Sequence, residues 1–213
     1  MTVVLHGDVS SGRPADYIQF IARAAVEVGA TAVAMARPGY TIDDRQSSGT
    51  ATRDQSRGDR FLAPEIDSIA TAIKNLKAHH KAGCVVLIGH SRGALILGVL
   101  LRRAAPLADV AVLISCPCYV QDWRASRGGD DMSDAQSPYM YIDRIPTRAR
   151  VYALTGEKDR NTLPRCAEAY VAGAVKRGIA ATFILAPGAG HGMRGLKKQP
   201  HLLDAVRAAT RGQ

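Results

Sequence analysis

The sequence predicts a single α/β domain built on a parallel sheet with helices on both faces, and three observations predict it. Short apolar runs alternate with amphipathic helical stretches nearly from end to end, the pattern of strands and crossover helices in alternation. The chain has 213 residues, the length of one compact domain able to bury a central sheet. Apolar residues make up 46% and charged residues 22%, which is ordinary globular usage and excludes a disordered or fibrous chain.

The elements follow in order. The first strand is expected from Val3 to His6. A helix then begins near Pro14, a favoured first-turn residue, carries Tyr17, Ile18, Ile21, Ala25 and Val28 at helical spacing, and stops at Gly29. The second strand runs from Ala32 to Ala36, and a helix over Ala63 to His80 places Ile66, Ile69, Ile73 and Leu76 on one stripe. The third strand, Cys84 to Gly89, leads into a helix after Ser91 that carries Leu95, Leu97, Val99 and Leu101. Strands at Val110 to Ser115, Val151 to Leu154 and Thr182 to Leu185 complete an expected set of six parallel strands. The last two helices fall near Pro164 to Arg177 and Pro200 to Thr210, and no internal repeat is present.

Two stretches break the alternation. Residues 37–60 are polar and rich in Gly, Ser, Thr, Asp and Arg, and residues 116–147 contain Trp123, Gly128-Gly129 and a run of acids before Pro138. Loops of this length in a compact domain are usually functional. Both follow strands, so both are expected over the carboxyl ends of the sheet, where open α/β folds bind ligands.

The formal charge is +9, from 28 Lys+Arg against 19 Asp+Glu. Such a balance concerns solubility and attraction to anions rather than fold. The arginines are scattered, with no zinc-finger, helix-turn-helix or ribonucleoprotein pattern, so no specific nucleic-acid partner is expected. No apolar run reaches the length of a membrane span, and Val3-Val4-Leu5 is entered without a basic leader. A cytoplasmic location without membrane attachment is therefore the expectation. The four cysteines Cys84, Cys116, Cys118 and Cys166 are sparse and are expected as buried free thiols. Cys116-Pro117-Cys118 has the form of a redox or metal pair, but no second pair stands at zinc-like spacing. No metal and no cofactor are expected.

The segment that carries chemistry is Gly89-His90-Ser91-Arg92-Gly93. A G-x-S-x-G match puts a serine on a strained strand-to-helix turn. The motif alone is weak, but here it directly follows the apolar run Cys84 to Ile88 and opens a helix, the setting the chemistry requires. A serine hydroxyl needs a base to take its proton and a third group to orient that base. Downstream of the fifth strand stand two histidines. His191 lies in the loop Pro187-Gly188-Ala189-Gly190-His191-Gly192, and His201 sits at a helix start, so His191 is the expected base with His201 as the alternative. After the Val151 strand, Thr155-Gly156-Glu157-Lys158-Asp159 offers two carboxylates. Asp159, deeper in the loop, is preferred, and Glu157 suits a solvated turn. The oxyanion needs backbone donors. One is expected from Arg92, and the other from the loop His6-Gly7-Asp8-Val9, with the N–H of Asp8 preferred over that of Val9.

Taken together, His6-Gly7, Ala36-Arg37-Pro38-Gly39-Tyr40, Gly89-His90-Ser91-Arg92-Gly93, Ser137-Pro138 with Ile145-Pro146, Gly156-Glu157-Lys158-Asp159 and Gly190-His191-Gly192 make nearly the whole chain resemble the α/β-hydrolase superfamily. Within it the nearest likeness is to the single-domain dienelactone hydrolase and prolyl-oligopeptidase-like esterases. The resemblance implies a three-layer core with about six strands that lacks the first two strands of the family. That would leave the Ala32 to Ala36 strand near an exposed edge, one that pairing in a homodimer would cover. A serine stands where dienelactone hydrolases carry cysteine, and no propeller domain of the peptidase type is expected. The resemblance best implies a serine esterase acting on a small-molecule ester, with short-chain acyl groups, through an acyl-enzyme on Ser91, His191 and Asp159. Thioester or peptide cleavage by the same residues is the near alternative. A noncatalytic module attracting an anionic partner through Arg45, Arg53, Arg57 and Arg60 is the distant one.

Overall fold

A computed structural model describes residues 1–9, 13–49, 63–102, 107–128 and 135–211. In chain order, β1 (Thr2–Leu5) leads through a 3-10 turn (Asp16–Ile18) into α1 (Gln19–Val26) and β2 (Ala32–Met35). A short hairpin, β3 (Thr41–Ile42) and β4 (Arg45–Gln46), precedes α2 (Ala63–His79), β5 (Val86–His90), α3 (Arg92–Leu100) and β6 (Val110–Ile114). The remainder is α4 (Val120–Ala125), a 3-10 segment (Pro138–Arg144), β7 (Arg150–Gly156), α5 (Pro164–Lys176), β8 (Ala180–Ala186), α6 (Met193–Leu196) and α7 (Pro200–Thr210). All six expected strands are present within two residues at either end.

The main sheet has the order β2-β1-β5-β6-β7-β8, and every neighbouring pair is parallel. The alternation of side chains along each strand divides the core in two. Val3, Leu5, Leu87, Ala111 and Leu113 pack with Ile66, Ile69 and Ile73 of α2 and the apolar face of α3. Val4, Val86, Ile88, Val110, Val112 and Ile114 point the other way, onto α1 and α7. The result is a three-layer domain in which β2 stands at one edge, as expected of the Ala32 strand.

The two stretches expected as long loops carry structure of their own. Within the first, Asp43 and Asp44 turn the β3–β4 hairpin with φ of 48° and 58°, the positive pair that a tight hairpin needs. Residues 50–62, including Arg53, Arg57 and Arg60, lie outside the described set, as do residues 129–134 of the second stretch. The rest of the second stretch holds α4 and the Pro138 segment, which packs so closely on α3 that a Cβ on Gly98 would lie 2.9 Å from Pro138 Cγ.

The expectation of buried free thiols is corrected at two places. Cys116 and Cys118 are joined in a disulfide, and Cys84 is free but only half-buried, while Cys166 is free and buried. The two joined residues, with only Pro117 between them, both lie in the same core cluster.

A buried ionic cluster ties the ends of β1 and β2 to α2 and α3. Arg37 Nε donates to Glu65 Oε1 at 3.0 Å, Arg37 Nη1 donates to Asp8 Oδ1 at 2.7 Å, and Arg92 Nη2 donates to Glu65 Oε2. Arg37, Arg92 and Glu65 are all buried, and Asp8 is half-exposed at the rim. One carboxylate thus separates two buried guanidinium groups. Burial, together with the charge of Arg37, pushes Arg92 down to about 9, which still leaves it cationic at neutral pH. Glu65→Gln keeps the shape but removes the anion that lies between the two buried guanidinium groups, a loss of about 3–5 kcal/mol. Urea unfolding should show that drop as a lower midpoint at unchanged slope; a variant as stable as the parent would contradict the role given to Glu65.

Candidate active site

Ser91 stands where β5 turns into α3, with φ 54° and ψ −119°. A non-glycine residue holds such a conformation only where its surroundings force it. The missing side chains around it allow the turn. A Cβ on Gly89 would lie 2.5 Å from the backbone nitrogen of Ala94, and one on Gly93 would lie 2.5 Å from the carbonyl oxygens of both Leu5 and His6. A Cβ on Gly7 would meet Ser91 Cβ at 2.8 Å. The serine is then pinned from both sides: its N–H donates to Ile114 O at 2.7 Å, and its carbonyl accepts the N–H of Leu95 at 3.0 Å.

The carboxyl ends of the strands bring the other expected residues to this point. His191 Nε2 is 3.1 Å from Ser91 Oγ, and its Nδ1 is 2.9 Å from Asp159 Oδ2. Asp159 is 2% exposed, and its Oδ1 accepts the N–H groups of Asn161 and Thr162 at 2.9 and 2.8 Å. Burial draws this carboxyl upward, but the hydrogen bond and charge of His191, with the groups of Thr162, outweigh it and hold the acid below its ordinary range. Asp159 is therefore an anion at neutral pH. The alternatives fall elsewhere: Glu157 is exposed and accepts the Gly188 N–H at 2.8 Å, and His201 lies in α7.

Thr162 is a member of this group that sequence reasoning missed. Its hydroxyl is 2.8 Å from Asp159 Oδ2, 3.0 Å from His191 Nδ1 and 3.1 Å from Ser115 O. The Nδ1–H of His191 is thus received by two oxygens, which leaves Nε2 as the acceptor that faces Ser91. The available signal was the Asp159-Arg160-Asn161-Thr162 turn, in which an aspartate caps the N–H groups that follow it.

Tyr17 was also missed, because its place on the apolar stripe of the helix expected from Pro14 marked it only as core; it lies in the 3-10 turn before α1. A buried tyrosine hydroxyl needs a partner, and here it has two: it accepts the Gly7 N–H at 2.6 Å and donates to His90 Nδ1 at 2.9 Å. His90 Nε2–H in turn donates to the carbonyl of His191 at 2.9 Å. One hydrogen-bonded chain therefore runs from the loop after β1, past the serine turn, to the loop that carries His191.

Asp8 and Arg92 border the same cavity as Ser91 and His191, and Pro117 and Trp123 line it too. The cavity volume is about 410 Å³, the size of a small-molecule site. The second long stretch thus contributes to the wall, and Trp123 is anchored by its ring N–H to Asn161 O at 2.8 Å. Among the described residues, those of the first stretch do not line this cavity.

Two buried rings beside the serine couple the site to pH. Burial, aided by the Arg37 charge, pushes His6 down to about 4. Burial, aided by His191, does the same to His90. Both are neutral in the native protein, and each becomes protonated near 6.5 when the chain unfolds. The unfolded state therefore binds more protons between pH 6.5 and 4, so stability is full above 6.5 and falls as pH drops through this window. The loss is on the order of 3 kcal/mol per ring. Urea titrations from pH 7 to 4 should show that decline, and His90→Gln should show about half of it; a parent whose stability is flat over this range would refute the neutral assignment.

No family model and no curated protein matches the sequence. Solved structures do match in fold. Esterase PE8 is 20% identical with a TM-score of 0.66, over 97% of this chain and 89% of that one. The Pyrococcus furiosus esterase PF2001 is 15% identical with a TM-score of 0.72, over 98% and 81%. The protein Atu2452 of unknown function from Agrobacterium tumefaciens is 23% identical with a TM-score of 0.63, over 98% and 88%. With its six parallel strands, helices on both faces and the serine turn after β5, this chain has the α/β-hydrolase fold.

Proposed function

We propose that this protein is a serine hydrolase that cleaves small carboxylic esters through an acyl-enzyme. The observation that carries the reading is the unbroken line from Ser91 Oγ through His191 to Asp159, with contacts of 3.1 and 2.9 Å, rooted in a strained strand-to-helix turn. The fold likeness to structures described as esterases supports the same reading.

In this account Ser91 Oγ attacks the ester carbonyl carbon while His191 Nε2 takes the hydroxyl proton. Asp159 and Thr162 hold Nδ1–H, so the ring is in the correct tautomer beforehand and the imidazolium that forms is stabilised by a buried anion. The carbonyl oxygen becomes an oxyanion, received by the N–H groups of Arg92 and Asp8. Arg92 is the first residue of α3, and first-turn N–H groups have no acceptor within a helix. As the tetrahedral species collapses, His191 returns the proton to the departing alcohol. Water then repeats the sequence on the acyl-enzyme, giving the acid and restoring Ser91.

The test is activity on p-nitrophenyl esters from short to long acyl chains, run beside labelling with a fluorophosphonate. Ser91→Ala should abolish labelling and reduce kcat by roughly 10⁴-fold or more. Labelling or turnover that persists in this variant would refute the assignment.

A further inference from the structure

A second cavity, of about 380 Å³, adjoins the one that holds Ser91 and shares Tyr17, Met193 and Arg194 with it. Its own walls add Phe20, Arg23 and Lys197. Three cations thus face one space, against a single acid, Asp16, whose Oδ1 already accepts the N–H of Asp43 at 3.0 Å. Among the described residues, none of Arg23, Arg194 and Lys197 forms an ion pair. Arg148, by contrast, pairs with Asp109, Arg165 with Asp122 and Arg207 with Asp204, while Arg45, Arg160 and Arg177 resemble Arg23 in having no ion pair among the described residues.

The two cavities share the walls of Tyr17, Met193, which is buried, and Arg194. The exposed ring of Phe20, with Arg23 and Lys197, lines the adjoining cavity alone. Tyr17, common to both cavities, is fixed in place by its bonds to Gly7 and His90. Apolar walls of Tyr17 and Met193 common to both cavities, with three cations against one acid around the adjoining one, fit a chain with an apolar middle and an anionic end.

We infer that the adjoining cavity is an anion-accepting subsite, and that the ester cleaved at Ser91 carries a carboxylate or phosphate at the end remote from the scissile bond. The inference rests on the proposed role of Ser91. It names the substrate class for that reaction: Arg23, Arg194 and Lys197 select the anionic end, while Tyr17 and Met193 hold the intervening methylenes.

The experiment compares the p-nitrophenyl monoester of suberic acid with its methyl-capped, neutral counterpart, reading nitrophenol release. Exposed ion pairs each contribute a few-fold, so wild-type kcat/KM should favour the anionic ester by about tenfold at low ionic strength. That ratio should fall toward one at about 0.5 M salt. The same fall is expected at low salt in the double variant Arg23→Gln/Lys197→Gln, whose fold is checked by thermal unfolding. Hexanoate and hexyl phosphate as competitors against the neutral ester distinguish the two anions, the stronger inhibitor naming the group; inhibition by neither overturns the subsite. A wild-type ratio near one with the neutral ester turned over, or a ratio unchanged in the double variant, overturns the subsite alone. No turnover of either ester by wild type overturns the reading of Ser91 and the subsite with it.

Discussion

The backbone of Ser91 is the constraint on which the rest of the site depends. Its φ of 54° is unfavourable for a residue with a Cβ, and it persists because α3 folds back against β1 and β5 at contacts only glycine permits. Close approach at Gly89 and Gly93 sets the direction of the helix, the direction of the helix sets where the Arg92 N–H points, and the turn lifts the serine side chain off the sheet toward the loops. Gly7 matters for the same reason from the other side, since a side chain there would displace Ser91 itself.

Around this turn, polar groups are satisfied in directions that leave little freedom. The chain from Gly7 through Tyr17 and His90 to the carbonyl of His191 joins two loops separated by 184 residues of sequence, counted from 7 to 191, without using a charge. Beneath it, Glu65 lies between Arg37 and Arg92, so the residue next to the serine is anchored by its side chain while its backbone starts a helix. Buried networks of this kind are costly when incomplete and specific when complete. The proposed base is oriented by both Asp159 and Thr162, which removes the ambiguity of tautomer that an isolated histidine would have.

Much of the fold was legible in the sequence because parallel strands read as apolar runs: the inner strands β1, β5, β6 and β7 are largely buried, and the edge strands β2 and β8, only partly buried, still carry apolar residues. Helix limits were legible where a proline or glycine marked them, as at Pro164, Pro200 and Gly29. Ser91, Asp159 and His191 could be ordered because each follows a strand, and strand ends converge in this topology. What escaped notice depends on contacts across the chain. Thr162 touches His191 from 29 residues away, Tyr17 touches His90 from 73, and neither contact leaves a local pattern. The α4 turn and the Asp43–Asp44 hairpin were hidden inside polar stretches whose composition suggests loop. The bond between Cys116 and Cys118 runs against the low cysteine content, which argued for free thiols.

The claim that binds these features is that the strained turn aims Ser91 Oγ and the Arg92 N–H at one reacting carbonyl. A crystal structure of the protein after reaction with diethyl p-nitrophenyl phosphate tests it most directly. The account predicts phosphorus bonded to Ser91 Oγ, with the phosphoryl oxygen at hydrogen-bond distance, about 3 Å, from the N–H of Arg92. Phosphorus on another residue, or a phosphoryl oxygen turned away from Arg92 into solvent, would contradict it.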